Sequence, residues 1–181
     1  MKTAVVILNW NGEKYLKQFL PILIKYTQIP DVELFVADNA STDNSLLVLN
    51  EQFPTVKTIL LDENYGFAGG YNKALSQIES DYFVLLNSDV EVTENWLQVL
   101  INYMDENLDV AACQPKIRSF YNRSFFEHAG AAGGFIDKLG FPFCRGRVIG
   151  KAEEDRGQYD DIIDIFWATG ACLMIRSEIY N

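Results

Sequence analysis

The chain has 181 residues, of which 49% are hydrophobic and 22% charged, a composition typical of a globular domain rather than of a disordered segment. Its net charge of −10 argues against nucleic acid as a partner, because nucleic-acid-binding surfaces need clustered Lys and Arg residues and the sequence has no such stretch. A phosphorylated small ligand stays open, and a divalent metal is the expected way to neutralise its charge in so acidic a chain.

The cysteines and the N-terminus indicate in which cellular compartment the protein is expected. Cys113, Cys144 and Cys172 are far apart and form no CxxC pair, which argues against a zinc site or a disulfide framework. The N-terminus lacks a signal-peptide pattern, and no apolar run approaches the ~18 residues that a membrane helix needs. The sequence therefore predicts a cytoplasmic location with no transmembrane segment in this chain. Peripheral attachment at the inner face of the plasma membrane stays open.

Apolar runs and amphipathic stretches alternate along the first two thirds of the chain. Five strands are predicted, at residues 4–8, 32–37, 56–61, 82–86 and 110–113. Four helices are predicted between them, at residues 13–26, 43–52, 68–78 and 94–104. Ser41-Thr42 and Thr93 are the expected caps of the second and fourth helices, and Tyr15 is expected on the inner face of the first. This order predicts an α/β fold with three layers and a mostly parallel central sheet.

The pattern changes after Pro115. Residues 118–150 are rich in glycine and aromatics, which predicts loops and short hairpins, and residues 150–161 form a charged segment expected to be mobile. Short strands are predicted at residues 162–167 and 171–175, and Ser177 then opens a helix. Since that helix has only one turn in this sequence, the domain is expected to be incomplete at its C-terminus.

Polar residues follow each of the first four predicted strands. Ligands of open parallel sheets bind outside the carboxyl ends of the strands, where all four of these clusters would lie. One such cluster is most simply a turn, but four together indicate a site. The residues are Asn9, Trp10, Asn11 and Gly12 after the first strand, Asp38 and Asn39 after the second, residues 62–66 after the third, and Asn87, Ser88 and Asp89 after the fourth.

Two of these residues suit a nucleotide base. A carboxylate such as that of Asp38 can accept the N3–H of uracil or thymine, which selects for such a base. The indole of Trp10 offers a flat apolar face for stacking, although a place in the core is an equal alternative.

Other residues suit a diphosphate and its metal. Gly66, Gly69 and Gly70 stand where the third helix begins, where they favour either phosphate contact or close helix packing. Asn72 lies one turn further and could face the ligand. Asp89 can bind Mg²⁺ or Mn²⁺, although the sequence "NSD" alone is a weak metal motif.

Five motifs in order resemble the family 2 glycosyltransferases of GT-A fold, and most closely their bacterial rhamnosyltransferase-like branch, which serves polysaccharide assembly. The motifs are "VVILNWNG", "VADNASTDNS", "NYGFAGGYNKAL", "LLNSDV" and "WATGACLMIRSEIY". The resemblance implies inverting transfer from a UDP- or dTDP-sugar to a glycan or glycolipid acceptor, assisted by Mn or Mg. It also implies a nucleotide-binding half at residues 1–114 and the start of an acceptor-binding half at residues 115–181.

The resemblance assigns roles to individual residues. It places the base-contacting acid at Asp38 and the metal motif at Asn87, Ser88 and Asp89, with Asp89 as its one carboxylate. It places the lining of the base at Leu8, Asn9, Trp10 and Asn11, and we add Asn39, Gly66, Gly69 and Asn72 to the expected donor site. The acceptor side falls on Trp167, Thr169 and Gly170.

The catalytic base is not assigned. In the family it lies in an acidic segment after the helix that Ser177 opens, so this chain is expected to bind donor but to transfer sugar poorly. His128, the single histidine, is expected to be structural or exposed, with an acceptor-side role left open.

Other function classes stay open or are disfavoured. A sugar-phosphate nucleotidyltransferase would also use metal and a doubly wound sheet, but it would carry a Gly-rich basic loop after the first strand. A noncatalytic nucleotide-sugar-binding module fits the short chain. A Rossmann dehydrogenase is disfavoured because no GxGxxG is present.

Overall fold

The computed structural model describes residues 1–127, 131–148 and 150–180. His128 lies outside these ranges, so its role stays a prediction. The helices are α1 (Glu13–Tyr26), α2 (Ser45–Gln52), α3 (Gly66–Leu75), α4 (Trp96–Glu106) and α5 (Ser177–Tyr180). The strands are β1 (Thr3–Asn9), β2 (Val32–Asp38), β3 (Lys57–Leu60), β4 (Tyr82–Leu86), β5 (Ala112–Cys113), β6 (Gly134–Ile136), β7 (Pro142–Cys144), β8 (Arg147–Val148), β9 (Lys151–Ala152) and β10 (Cys172–Arg176).

A six-stranded sheet forms the middle of the molecule, with strand order β3-β2-β1-β4-β10-β5. Strands β1 to β4 are parallel to one another, whereas β10 runs antiparallel to both β4 and β5. The predicted mostly parallel sheet is therefore confirmed, and β10 is its one reversed strand. The smaller pairs β6–β7 and β8–β9 lie outside this sheet.

Both faces of the central sheet are buried, which explains why its strands are apolar runs without alternation. On one face Val5 and Ile7 of β1 pack in a cluster with buried residues of α1, α2 and α4. On the other face Ala4 and Val6 pack with Tyr71 and other residues of α3. The three predicted layers are therefore confirmed, with β1 in the centre of the middle layer.

The predicted strand at residues 162–167 is wrong. Only Trp167 forms a bridge there, with Gly134. Ile162 and Phe166 are 75% and 67% exposed, and the contact of this apolar run with β6 does not extend beyond its last residues. An apolar run alone does not make a strand.

The expected helix caps and the inner position of Tyr15 are also wrong. Helix α2 begins at Ser45, and the side chain that receives its first N–H is Asp43. Thr93 accepts the N–H of Trp96 through its backbone oxygen, with no side-chain cap on α4. Tyr15 is 40% exposed, because it lies at the margin of the apolar stripe of α1.

The charged segment is held by ion pairs rather than being wholly solvated. The Asp155 side chain, 8% exposed, accepts a 2.9 Å contact from Lys116. Lys116 holds the pKa of Asp155 below its usual value, and Asp160 also contacts Lys116. No helix in the described part of the chain combines the length and the apolar character that crossing a bilayer requires.

Arg176, at the end of β10, is a buried charged residue that joins this strand to the end of α4 and the loop that follows α4. Its buried guanidinium donates to the backbone oxygens of Met104, Asn107 and Val110 at distances of 2.7, 3.0 and 2.8 Å. A third nitrogen lies 3.2 Å from the hydroxyl of Tyr82. Arg176 therefore satisfies carbonyls at the C-terminus of α4, where a positive charge is also favoured by the helix dipole.

We predict that Arg176→Ala lowers the free energy of unfolding by about 3 kcal/mol, because it leaves several buried carbonyls without donors. Arg176→Lys should be intermediate, since an ammonium cannot reproduce the planar fork. Urea unfolding measures both. The control is Arg156→Ala, whose side chain is 78% exposed, and a cost for Arg176→Ala no larger than that of this control would contradict the prediction.

Candidate functional site

The parallel register brings the polar ends of the strands to one edge of the sheet. Asn9, the last residue of β1, pairs with Asp38, the last residue of β2, and Asp38 pairs with Leu60 of β3. On the other side of β1, Ile7 pairs with Leu86, the last residue of β4. The loops after β1 to β4 therefore meet at one carboxyl edge.

A buried amide joins the first two loops. The side chain of Asn9 is fully buried, and its Nδ2 donates to Asp38 Oδ1 at 3.0 Å and to Ser41 Oγ at 3.1 Å. The other oxygen of Asp38 accepts the N–H of Ser41 at 2.9 Å. Asp38 is only 2% exposed. A nucleotide base would have to compete with these internal donors, so base contact by Asp38 stays a prediction.

Asn11 and Asp43 fasten the same two loops from outside. Asn11, in the left-handed region with φ 51°, accepts the N–H groups of Thr42 and Asp43 through its Oδ1. Asp43 in turn accepts the first N–H groups of α1 and α2, from Glu13 at 3.0 Å and Ser45 at 2.9 Å. Burial opposes ionisation of Asp43, but these hydrogen bonds outweigh it and lower the pKa of the carboxyl.

Gly12 is required by the position of the Asn9 amide. Asp38 needs a donor from Asn9, which orients the Asn9 oxygen toward Gly12. A Cβ at Gly12 would lie 2.2 Å from that oxygen and 3.8 Å from Ser88 Oγ. The backbone of Gly12 is ordinary, with φ −104°, so this contact, rather than backbone strain, excludes a side chain.

Asn39 connects the second loop to the third. Its Oδ1 accepts the N–H of Tyr65 at 3.0 Å, and its Nδ2 donates to Asn64 Oδ1 at 2.9 Å and to Gly66 O at 3.1 Å. Gly66 begins α3 with φ +68°, a left-handed conformation that glycine adopts readily. Asn39 therefore acts first as a brace for the start of α3.

The neighbouring glycines support close packing. A Cβ at Gly70 would lie 2.8 Å from the side chain of Leu8, and one at Gly69 would lie 3.1 Å from Tyr65 Cβ. Leu8 is thus covered by α3. Phosphate contact near Gly66 and Gly69 stays a prediction.

Two further predicted residues have different surroundings. Trp10 is 58% exposed, so the alternative of a core aromatic is wrong and its indole face is open to a ligand. Asn72 accepts a 2.7 Å hydrogen bond from the Tyr180 hydroxyl of α5. Because α5 begins at the amino edge of the sheet, directly after Arg176, this contact does not bring Asn72 together with the other predicted residues.

A cleft of about 1310 Å³ opens beside the end of β4. Asn87 and Asp89 line it on one side, and the Lys116–Phe126 segment lines it on the other. Thr169 and Gly170 also line it, whereas Trp167 packs on Gly134. The place of these three residues on the acceptor side stays a prediction. The backbone N–H of Asn87 donates to Ala171 O at 3.0 Å, which fastens β4 to the loop before β10.

Asp89 differs from the other acids of the cleft because it has no protein partner among the described residues. Glu91 pairs with Arg123 at 2.7 Å, and Asp155 pairs with Lys116. The described residues contain no group of three or more His, Cys, Asp or Glu side chains that could hold a metal by themselves. Any metal at Asp89 would therefore need further oxygen ligands from its substrate or from water.

The comparison with protein families decides the class. The description Glycosyl transferase family 2 matches residues 4–181, nearly the whole chain. The chain belongs to glycosyltransferase family 2. The resemblance read from the five motifs is thereby confirmed, and the protein is a glycosyltransferase by family.

Relatives and solved structures agree with this family. The N-acetylglucosaminyl-diphospho-decaprenol L-rhamnosyltransferase of Mycobacterium tuberculosis is 23% identical over 98% of this chain and 62% of its own. S. aureus TarS 1-349 in complex with UDP-GlcNAc has a TM-score of 0.60 and 25% identity over 74% of this chain and 39% of its own. The mannosyltransferase PcManGT from Pyrobaculum calidifontis, in complex with GDP-Man and Mn2+, has a TM-score of 0.62 and 18% identity over 98% of this chain and 45% of its own.

The fold of this family 2 glycosyltransferase is the predicted GT-A fold, as its structural neighbours share it. The chain spans from 13% to 62% of the length of eight curated relatives that it matches. Sequence reasoning missed Ser41 and Asp43 as residues that organise the site. The sequence "STD" before a helix was a usable signal, but their partners lie about 30 residues away and cannot be read locally.

We predict that Gly12→Ala destabilises the protein by about 2 kcal/mol, because the added methyl displaces the Asn9 oxygen. In an Asn9→Ala background the same change should cost at least about 1 kcal/mol less, since the oxygen is gone. A double-mutant cycle by urea unfolding measures this coupling. Additive effects of the two changes would contradict the proposed contact.

Proposed function

We propose that this chain is the donor-binding part of an inverting glycosyltransferase that takes sugar from a UDP- or dTDP-sugar. The acceptor is a hydroxyl group of a polysaccharide or glycolipid. The observation that carries the proposal is Asp89, an exposed carboxylate with no partner among the residues that the structure describes. It follows the buried strand β4 and lines the large cleft of a family 2 chain. In this proposal residues 1–114 bind the nucleotide and residues 115–181 begin the acceptor side, with the cleft between them.

Donor binding is supported at the carboxyl edge. The exposed indole of Trp10 is available to stack on a uracil or thymine base, and Asn11 holds the adjoining loop in place. The TarS neighbour has been solved with UDP-GlcNAc, which agrees with a uracil donor. The carboxylate of Asp38 would select a uracil or thymine base by accepting the N3–H of that base.

Metal assistance is proposed from the residues at the end of β4. The side-chain oxygens of Asn87 and Asp89 have no protein partner among the described residues and line the same cleft, so they suit a hard cation such as Mg²⁺ or Mn²⁺. The PcManGT neighbour is complexed with GDP-Man and Mn2+. When bound, the metal would stabilise the leaving diphosphate as a Lewis acid. Asp89 would hold it, and Asn87 and Ser88 would be weaker contributors.

Inversion follows if the acceptor hydroxyl attacks the anomeric carbon from the face opposite the diphosphate. A base must then take the hydroxyl proton. Glu91 pairs with Arg123, and Asp155 and Asp160 both pair with Lys116. Asp89 is committed to the metal in this proposal, so none of these four acids suits that role. We therefore expect donor binding by this chain with weak transfer. The second candidate, a noncatalytic nucleotide-sugar-binding module, is favoured by the same pairing of the cleft acids.

The acceptor and the location of this chain are proposed from the name of one relative. The rhamnosyltransferase relative carries a diphospho-decaprenol in its name, which indicates a lipid-linked acceptor for that protein. A similar acceptor here would place the chain in the cytoplasm or at the inner face of the plasma membrane.

We predict that Mn²⁺ strengthens binding of UDP or dTDP and that Asp89→Ala weakens the metal-dependent binding by about tenfold or more, a loss of at least about 1.4 kcal/mol. Isothermal titration with Mn²⁺ and with EDTA measures this. The control is Asp109→Ala, an exposed acid that precedes β5 at the opposite edge of the sheet. Equal losses in the two variants, or binding of NAD in place of UDP and dTDP, would refute the assignment.

We predict that Trp10→Ala weakens UDP and dTDP binding by about tenfold, on the scale of about 1–3 kcal/mol for loss of one base–aromatic stack. Trp10→Phe should keep most of the affinity because it keeps a flat ring. The same titration tests both variants. Wild-type affinity in Trp10→Ala would show that the base binds elsewhere.

A further inference from the structure

Phe67 is an aromatic residue whose position is not explained by core packing. It lies in the first turn of α3 and is 54% exposed. Its ring lines the same cleft as Asn87 and Asp89. An exposed ring in the wall of a cleft is accessible to a ligand that enters the cleft.

One side of the ring is fixed from within the fold. Phe67 meets Tyr71 edge-on, with ring centroids 5.1 Å apart and an interplanar angle of 72°. Tyr71 is 1% exposed, and its hydroxyl donates to the backbone oxygen of Leu86 at 3.2 Å. Phe67 is therefore held by a buried residue that is itself tied to the last residue of β4, immediately before Asn87.

The tip of the ring lies against Gly170. A Cβ at Gly170 would lie 2.9 Å from Phe67 Cζ and 3.1 Å from Cε1, so a side chain there would displace the ring from this position. The next residue, Ala171, accepts the N–H of Asn87 at 3.0 Å. The ring, the glycine and the end of β4 thus form one connected wall of the cleft.

We propose that Phe67 is a platform for the sugar ring of the donor, a proposal that rests on the proposed function. A pyranose has an apolar C–H face and a rim of hydroxyl groups, and aromatic rings bind the apolar face by contact without using its hydroxyls. A diphosphate held at Asp89 carries its sugar into the same cleft that Phe67 lines. Phe67 is then a specificity-determining residue that acts on the sugar and not on the nucleotide.

The test compares sugar nucleotides with free nucleotides. Titration calorimetry with Mn²⁺ gives the affinities of UDP, UDP-glucose, UDP-GlcNAc, dTDP, dTDP-glucose and dTDP-rhamnose for the wild-type chain and for Phe67→Ala. The sugar nucleotide that binds most tightly should lose about tenfold in Phe67→Ala, while its free diphosphate changes by less than twofold. The unchanged diphosphate affinity also shows that the variant is folded.

Two further variants separate a stacking role from simple bulk. Phe67→Tyr should keep the preference for the sugar nucleotide, and Phe67→Leu should lose most of it. Gly170→Ala should weaken the sugar nucleotide alone, with no added effect in the Phe67→Ala background, because it acts by displacing the ring.

Three results would overturn the proposal. These are equal losses for sugar nucleotide and free diphosphate in Phe67→Ala, no loss for either, and sugar nucleotides that bind the wild-type chain no more tightly than the free diphosphates. Failure of the underlying function is a different result, namely that neither UDP nor dTDP binds in a metal-dependent way.

Discussion

The buried amide of Asn9 is the interaction on which the carboxyl edge of the sheet depends. It lies at the end of the central strand and donates to Asp38 and Ser41 of the neighbouring loop. Its other end excludes a side chain from Gly12. Because a buried amide nitrogen is costly to leave without acceptors, these two hydrogen bonds hold the first two loops in place relative to each other. The rim of the site is therefore set before any ligand arrives.

This constraint divides the polar residues of the edge into two groups. The inner ones, Asn9, Asp38 and Asn39, are almost fully buried, and their side chains hydrogen-bond to other residues of the loops at this edge. The outer ones, Trp10 and Asp89, are exposed, so a ligand can contact their side chains. Such a division is expected of a preorganised site, in which a rigid inner shell holds a few ligand-facing groups in place. In the proposed function the outer group binds donor and metal.

Much of the fold could be predicted because its signals are local. The strand at residues 82–86 and the helix at residues 13–26 were predicted with the bounds the structure gives them, one from an unbroken apolar run and the other from an amphipathic repeat. The run at residues 162–167 failed because a strand also needs a partner, which no local pattern supplies. The reversed direction of β10 is likewise a property of the assembled sheet.

The location of the site could be predicted from the sequence, but which of its residues are buried and which are exposed to a ligand could not. The polar residues after four strands were found from topology alone, since parallel strands end at one edge. That Asp38 is internal and Trp10 is exposed depends on contacts across about 30 residues of sequence, such as those of Ser41 with Asn9 and Asn11. Phe67 was read as part of a glycine-rich motif, and only its contact with Gly170, about a hundred residues away, gives it a separate role.

We propose that one carboxylate, Asp89, holds a metal whose remaining ligands include the donor diphosphate. Electron paramagnetic resonance of free Mn²⁺ tests it most directly, by measuring Mn²⁺ affinity with and without saturating UDP or dTDP. We expect weak Mn²⁺ binding to the chain alone and much tighter binding with the nucleotide present. Reciprocity requires Mn²⁺ to strengthen nucleotide binding by the same factor. Mn²⁺ binding that is equally tight without nucleotide would contradict it, as would a nucleotide affinity that EDTA leaves unchanged.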